Sequence, residues 1–162
     1  MKNLKCVIDT SSVLSFASIE KLDILNHFFS TICIPQAVWE ELSQVTDSFL
    51  HSSIEAFFSN KVKTIQTQND LFPFVDYGEA EAMILAREIK ADFLIIDDKK
   101  AREIADQFNI NCVGTLGVLA RAKEKKLILK LRPLFIELLE KKRYYSKQVL
   151  NNLLNKYNEK II

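Results

Sequence analysis

Glycine, proline and cysteine are scarce in this chain, three of each among 162 residues, and there are only two histidines. Each shortage narrows the function. Three scattered glycines, Gly78, Gly114 and Gly117, provide no glycine-rich phosphate loop, which argues against nucleotide binding of the Walker or Rossmann kind. Cys6, Cys33 and Cys112 are odd in number and lack C-x-x-C spacing, so they read as buried reduced thiols. His27 and His51 fall in different helical patterns without H-E-x-x-H spacing, which argues against a zinc site. No apolar run approaches the roughly 20 residues of a membrane span, and residues 1–4 lead straight into a strand pattern with no room for a signal peptide. The expectation is a cytoplasmic protein with no membrane partner. At 48% hydrophobic content the chain has the size of one domain, residues 1–162, able to bury a core without staples.

Net charge is only +1, but it is unevenly placed. Residues 1–120 hold 10 Lys+Arg against 17 Asp+Glu, a balance of −7, whereas residues 121–162 hold 12 against 4, a balance of +8. An acidic body with a basic C-terminal segment is compatible with nucleic-acid contact, and equally with a solvated lysine-rich helical face.

The organising stretch is Cys6-Val7-Ile8-Asp9-Thr10-Ser11-Ser12, an apolar run that ends on a carboxylate and three hydroxyls. Residues 4–8 favour a strand that delivers Asp9 to a sheet edge, and the hydroxyls can cap the helix that follows. Leu14, Phe16, Ile19, Leu22, Leu25 and Phe28 continue at mostly helical spacing, with Ser18 as the cap of a second helical piece. Residues 31–34 form the next strand, closed by Pro35, which opens a helix over 36–43. Asp47 caps a further helix, and residues 62–65 alternate as a third strand. An alanine-rich helix starts at Asp76-Tyr77-Gly78-Glu79 and runs to about residue 89. Residues 93–96 are a continuous apolar strand ended by Asp97 and Asp98, a helix spans 99–108, residues 110–113 make a fifth strand, and Thr115 caps another helix. This alternation predicts βαβ units and a parallel sheet with helices on both faces, with ligands bound beyond the carboxyl ends of the strands. Two amphipathic helices then follow, one carrying Leu131, Leu134, Phe135, Leu138 and Leu139, the other Val149, Leu150, Leu153, Leu154 and Tyr157. They either cover the sheet or form a partner surface. The core is assigned to about residues 4–128 and the helical extension to about 129–162.

Asp9 and Asp97 end strands on the binding edge, and Glu41 and Glu79 fall in early turns of helices that start there. Crowded carboxylates repel, and an oxygen-bound divalent cation relieves the repulsion. Oxygen-only ligation selects Mg²⁺ or Mn²⁺. Such an ion lowers the pKa of bound water and neutralises charge on a phosphoryl group, as phosphodiester hydrolysis requires. Each acid also has a structural reading: Asp9 as a helix cap, Glu40 and Glu41 as solvated charges, Asp76 with Glu79 as a capping box, Asp98 as an N-cap. Glu81 competes with Glu79, and Asp97 with Asp98, for a place in the set.

The ordered series V-I-D-T-S, I-P-x-x-V-x-x-E-L, G-E-A-E-A and L-I-I-D-D-K-K-A-R resembles the PIN domain, in particular the VapC-like toxin ribonucleases and their close relatives. The stretch at 114–128 is similar to one PIN subgroup, and the resemblance covers roughly residues 4–145. It implies a three-layer α/β/α sandwich around a mainly parallel sheet of four to five strands, with C-terminal helices added. It also implies Mg²⁺ or Mn²⁺ at the acids and endonucleolytic cleavage of RNA. Carried onto this sequence, Asp9, Glu41, Glu79 and Asp97 would be the catalytic, metal-binding acids, with Asp98 an adjacent or substitute ligand. Ser11 would support the first acid, and Arg102 would orient an acid or contact a phosphate. The resemblance also implies a homodimer and an antitoxin protein that silences the site.

The competing expectation is a non-catalytic PIN-like module that binds RNA or protein through basic residues, Lys123, Lys125 and Lys126 with Lys141, Lys142 and Arg143. A receiver-type phosphoacceptor fits less well, because the acid pair follows the fourth strand instead of the first and Gly114-Thr115 stands where a lysine is wanted.

Overall fold

A computed structural model describes residues 3–162. The strands are β1 (Lys5–Ile8), β2 (Thr31–Pro35), β3 (Val62–Lys63), β4 (Phe93–Ile95) and β5 (Cys112–Val113), and they form one parallel sheet in the order β3-β2-β1-β4-β5. Among the described residues nine α-helices surround it: α1 (Thr10–Ser18), α2 (Leu25–Phe28), α3 (Gln36–Ser43), α4 (Ser48–Phe58), α5 (Tyr77–Glu88), α6 (Lys99–Gln107), α7 (Thr115–Glu124), α8 (Arg132–Glu140) and α9 (Lys147–Lys156). The result is a three-layer α/β/α fold.

The central strand β1 is buried on both faces, as its unbroken apolar run requires. Val7 lies opposite Cys33 and Leu94, and Ile8 lies opposite Ile95. Successive side chains alternate between two cores. Cys6 and Ile8 join Phe16, Leu119, Phe135 and Leu138 in one, while Val7 and Leu94 join Met83, Leu85 and Ala101 in the other. The C-terminal helices therefore cover the sheet. Phe135, Leu138, Leu150 and Leu154 are fully buried, each contributing about 1.5–3 kcal/mol of burial.

Strands β3 and β5 are shorter than the sequence pattern predicts. Both are outermost, so only one side of each is paired. Past β3 the backbone finds another acceptor: the amides of Gln66 and Thr67 donate to the carboxylate of Glu88 at 2.7 and 3.2 Å. Ser18 does not cap a second helical piece either. Its hydroxyl donates back to the Leu14 carbonyl at 2.5 Å, inside the last turn of α1, and the next helical turn begins only after Lys21.

Scarce glycine leaves its mark on the helix ends. Glu20, Lys90, Asn109, Lys126, Lys142 and Asn158 all take positive φ, and no glycine does. Each stands just past a helix, and the hydrogen bonds are those of the Schellman motif. At α8, for example, Lys142 N donates to Leu139 O at 3.0 Å and Arg143 N to Leu138 O at 2.9 Å. No helix among the described residues is long and apolar enough to cross a membrane. Cys6 and Cys33 are buried free thiols and Cys112 is a half-buried one.

Candidate metal centre at the sheet edge

The central strand places Asp9 in the middle of the carboxyl edge. Its amide still belongs to the sheet, donating to Ile95 O at 3.1 Å, while Oδ1 turns over α1 and accepts from Ser12 N at 3.0 Å. Asp9 is only 3% exposed. Burial raises its carboxyl to about 7; the bonds from Ser12 offset part of this, and Asp97 and Glu79 add repulsion. The serine that supports this acid is Ser12, through its amide; the Ser12 hydroxyl is buried beside it without a hydrogen-bond partner among the described residues. Ser11 is exposed and lines the cleft in front of it.

Glu41 arrives on the second turn of α3. Pro35 precedes that helix and has no capping side chain; the amide of Ala37 is taken instead by Glu81 Oε1 at 3.1 Å. Glu81 is 5% exposed and committed to this bond, so it fixes the helix that carries Glu41 and does not compete for the cleft. Thr10 Oγ1 donates to Glu41 Oε2 at 2.5 Å. On the other side Gly78 presses against the Glu41 carboxylate so closely that any Cβ would collide with Oε1. The glycine of the G-E-A-E-A motif thus leaves the Glu41 carboxylate where it is; a Cβ there would displace the end of that side chain.

Glu79 serves as both cap and cleft wall. Its Oε2 accepts from Asp76 N at 3.3 Å. Burial first, then Asp98, Asp76 and Glu41, raise its carboxyl to about 7, with the Asp76 amide opposing. The doublet after β4 divides its work. Asp98 caps α6, its Oδ1 accepting from Ala101 N at 2.7 Å. Asp97 accepts from Thr115 N and Thr115 Oγ1, both at 2.7 Å, and from Tyr145 OH at 2.6 Å. Gly114 leaves room for this, since a Cβ there would stand 3.0 Å from both Asp97 Oδ1 and Arg102 Nη1. Arg102 is therefore beside Asp97, but no ion pair joins them among the described residues.

Asp9, Glu41, Asp76 and Glu79 line one cleft of about 230 Å³, together with Ser11 and Arg143. A second cleft of about 440 Å³ shares Asp76 and Glu79 and adds Asp98, Lys100, Phe72 and Phe74. The basic residues of α7 are elsewhere. Lys123 is tied to Glu159 at 2.9 Å and to Leu129 O at 2.7 Å. Lys125 and Lys126 follow the far end of a helix that starts at the acidic edge, about 15 Å away by helical rise.

Sequence reasoning missed Asp76, Thr10 and Thr115 as neighbours of the acids because each also reads as a cap. It missed Tyr145 as a partner of Asp97 because nothing in the pattern at 141–146 points back to the sheet. The Tyr145 hydroxyl, pushed up by burial and by Asp97, stays protonated and donates.

The donor set is carboxylate oxygen throughout, which suits a hard divalent cation. Burial first, and repulsion among the acids second, raise Asp9 and Glu79 to about 7, an imbalance that such a cation corrects. Among the described residues no three of these side chains converge tightly enough to complete a coordination shell as they stand. The fit is one of charge and donor type.

A family model described as a PIN domain matches residues 5–159. The chain belongs to the PIN domain family. PIN domains are typically nucleases and generally use divalent metals. Among solved structures, this PIN domain is similar to a PilT N-terminus domain protein from the hyperthermophilic archaeon Sulfolobus solfataricus P2. The TM-score is 0.53 and the identity 20%, over 74% of this chain and 93% of that one. That likeness concerns the fold. No curated protein matches the chain. The family match runs through α9, so the turn that brings Tyr145 to Asp97 lies within the PIN domain.

Proposed function

We propose that this PIN domain is a Mg²⁺- or Mn²⁺-dependent endoribonuclease. The observation that carries the reading is the gathering of Asp9, Glu41, Asp76 and Glu79 around one cleft with Asp9 almost fully buried, where burial and the neighbouring acids raise the Asp9 and Glu79 carboxyls. A site built only for stability would pair or remove such charges. Asp9, Glu41, Glu79 and Asp97 are assigned to hold the cation, with Asp98 beside them. A bound divalent ion supplies an acidified water and neutralises charge on the phosphoryl group.

The protein's own groups do the rest. Thr10 and Gly78 fix Glu41, Glu81 fixes the helix beneath it, and Tyr145 with Thr115 orients Asp97. Ser11 is free to contact a bound strand. The toxin role, the antitoxin partner and the homodimer belong to the same proposal. A single domain over residues 1–162, with its C-terminal helices contributing to the site, completes it.

The test is cleavage of a labelled RNA at millimolar Mn²⁺. Wild type is expected to cut, and Asp9→Asn to lose at least about 10³-fold while remaining folded. Equal cutting by the two proteins would remove Asp9 from the mechanism. One observation favours the non-catalytic module: both Asp97 oxygens are already occupied by hydrogen bonds. That reading expects metal-independent, salt-sensitive RNA binding and no cleavage.

A further inference from the structure

We propose that Arg143, carried by the turn between α8 and α9, binds a backbone phosphate of the nucleic acid that enters the acidic cleft. This rests on the nuclease reading, which assigns the cleft to RNA and gives it a cation at the acids but no charged side chain that holds a backbone phosphate. The cleft walls Asp9, Glu41, Asp76 and Glu79 repel a polyanion. Arg143 is the one cationic side chain lining it among the described residues.

Its state sets it apart from a neutralising ion pair. The Nε of Arg143 is buried and has no hydrogen-bond partner. No carboxylate pairs with its guanidinium among the described residues, although four line the same cleft. A buried guanidinium donor without an acceptor is a costly arrangement, and its planar fork matches two oxygens of a phosphate.

The position of Arg143 is also built. The Schellman motif at Lys142 turns the chain back over the end of α8, with Arg143 N on Leu138 O. Two residues later Tyr145 OH is fastened to Asp97 at 2.6 Å and lies 2.8 Å from Ser15 Oγ. The segment 143–145 is thus held at one end by α8 and at the other by Asp97 of the acidic edge. Lys100 stands in the adjoining cleft, across the shared residues Asp76 and Glu79. A strand bound at Arg143 would pass over Glu79 toward a second cation.

The experiment measures binding of a fluorescent single-stranded RNA oligonucleotide to the full chain by anisotropy, with Ca²⁺ replacing Mg²⁺, across a series of salt concentrations. Arg143→Gln is expected to weaken binding roughly 10- to 100-fold and to reduce the slope of log K against log salt by about 0.7. Arg143→Lys is expected to recover the slope but only part of the affinity, because it restores a charge and not the fork. The melting temperature of Arg143→Gln should match or exceed that of wild type, and Mn²⁺ affinity, read by water-proton relaxation, should not fall.

Wild-type affinity and slope in a folded Arg143→Gln protein would overturn the proposal even if Mn²⁺-dependent cleavage is observed. The converse is distinguishable. A wild type that never cuts RNA, while Arg143→Gln still lowers affinity and slope, removes the nuclease reading and leaves Arg143 as the phosphate contact. Should Arg143→Gln fail to fold, Arg143→Lys decides: unchanged affinity with the fork removed counts against the proposal.

Discussion

The acidic α/β part of the molecule and its basic C-terminal helices are built to different rules. In the first, every site carboxylate is placed by a strand end or helix start, and the backbone geometry of a parallel sheet does the gathering. In the second, Tyr145 and Arg143 reach the same edge from a turn, through hydrogen bonds across 48 and 130 residues of sequence from Tyr145 to Asp97 and Ser15. Charge follows the division, −7 over residues 1–120 and +8 over 121–162. The basic segment is therefore more than a solvated face. It covers one side of the sheet with Phe135 and Leu138 and then donates to Asp97.

Removing charge from the acidic side should have the largest effect. Metal-free Asp9→Asn should be more stable than wild type by about 2–4 kcal/mol at pH 8, since Asn keeps the cap to Ser12 and avoids a buried charge. The sign follows from the raised carboxyl. Between about pH 4 and pH 7 the unfolded chain has released the Asp9 proton while the folded chain retains it, so wild-type stability falls as pH rises through this window. Denaturant midpoints at pH 4, 6 and 8 should diverge between wild type and Asp9→Asn in that order. Coincident curves would show that Asp9 is not buried as a charge.

On the same side, Glu81→Ala should cost about 2–3 kcal/mol. It leaves the amide of Ala37 unpaired at the start of α3, and the loss is read from urea unfolding. Cleavage should fall as well, because Glu41 moves with α3. From the basic side, Tyr145→Phe removes one hydrogen bond from Asp97 and should destabilise by about 1 kcal/mol, lowering kcat while leaving KM little changed. An effect on KM alone would assign Tyr145 to substrate binding instead of to positioning Asp97. The smallest expected change is Lys142→Gly, which relieves a left-handed backbone and should stabilise by about 1 kcal/mol without affecting cleavage.

Most of the α/β architecture was legible because strands such as Val7-Ile8 and Leu94-Ile95 are apolar on both faces and end in acids. Period and punctuation together locate the edge. The lengths of β3 and β5 were not legible, since ladder pairing at a sheet border depends on which side chains, Glu88 among them, claim the backbone. That Asp9, Glu41 and Glu79 come to one edge was legible, but the division of work among the acids was not, and Asp97 lines neither cleft. Glu81 and Glu79 are two residues apart and of the same residue type, and only the position of α3 shows that one caps Ala37 while the other faces the cleft. Tyr145 and Arg143 lay outside any periodic signal, because a helix-ending turn with lysine in place of glycine does not announce where it redirects the chain.

The nuclease chemistry proposed for this edge requires that its acids gather a cation. Anomalous scattering from crystals soaked at millimolar Mn²⁺ tests it directly. A peak bounded by Asp9, Glu79 and Asp97 in wild type, absent from Asp9→Asn, is the predicted result. A wild-type map with no peak in the cleft at that concentration would contradict it.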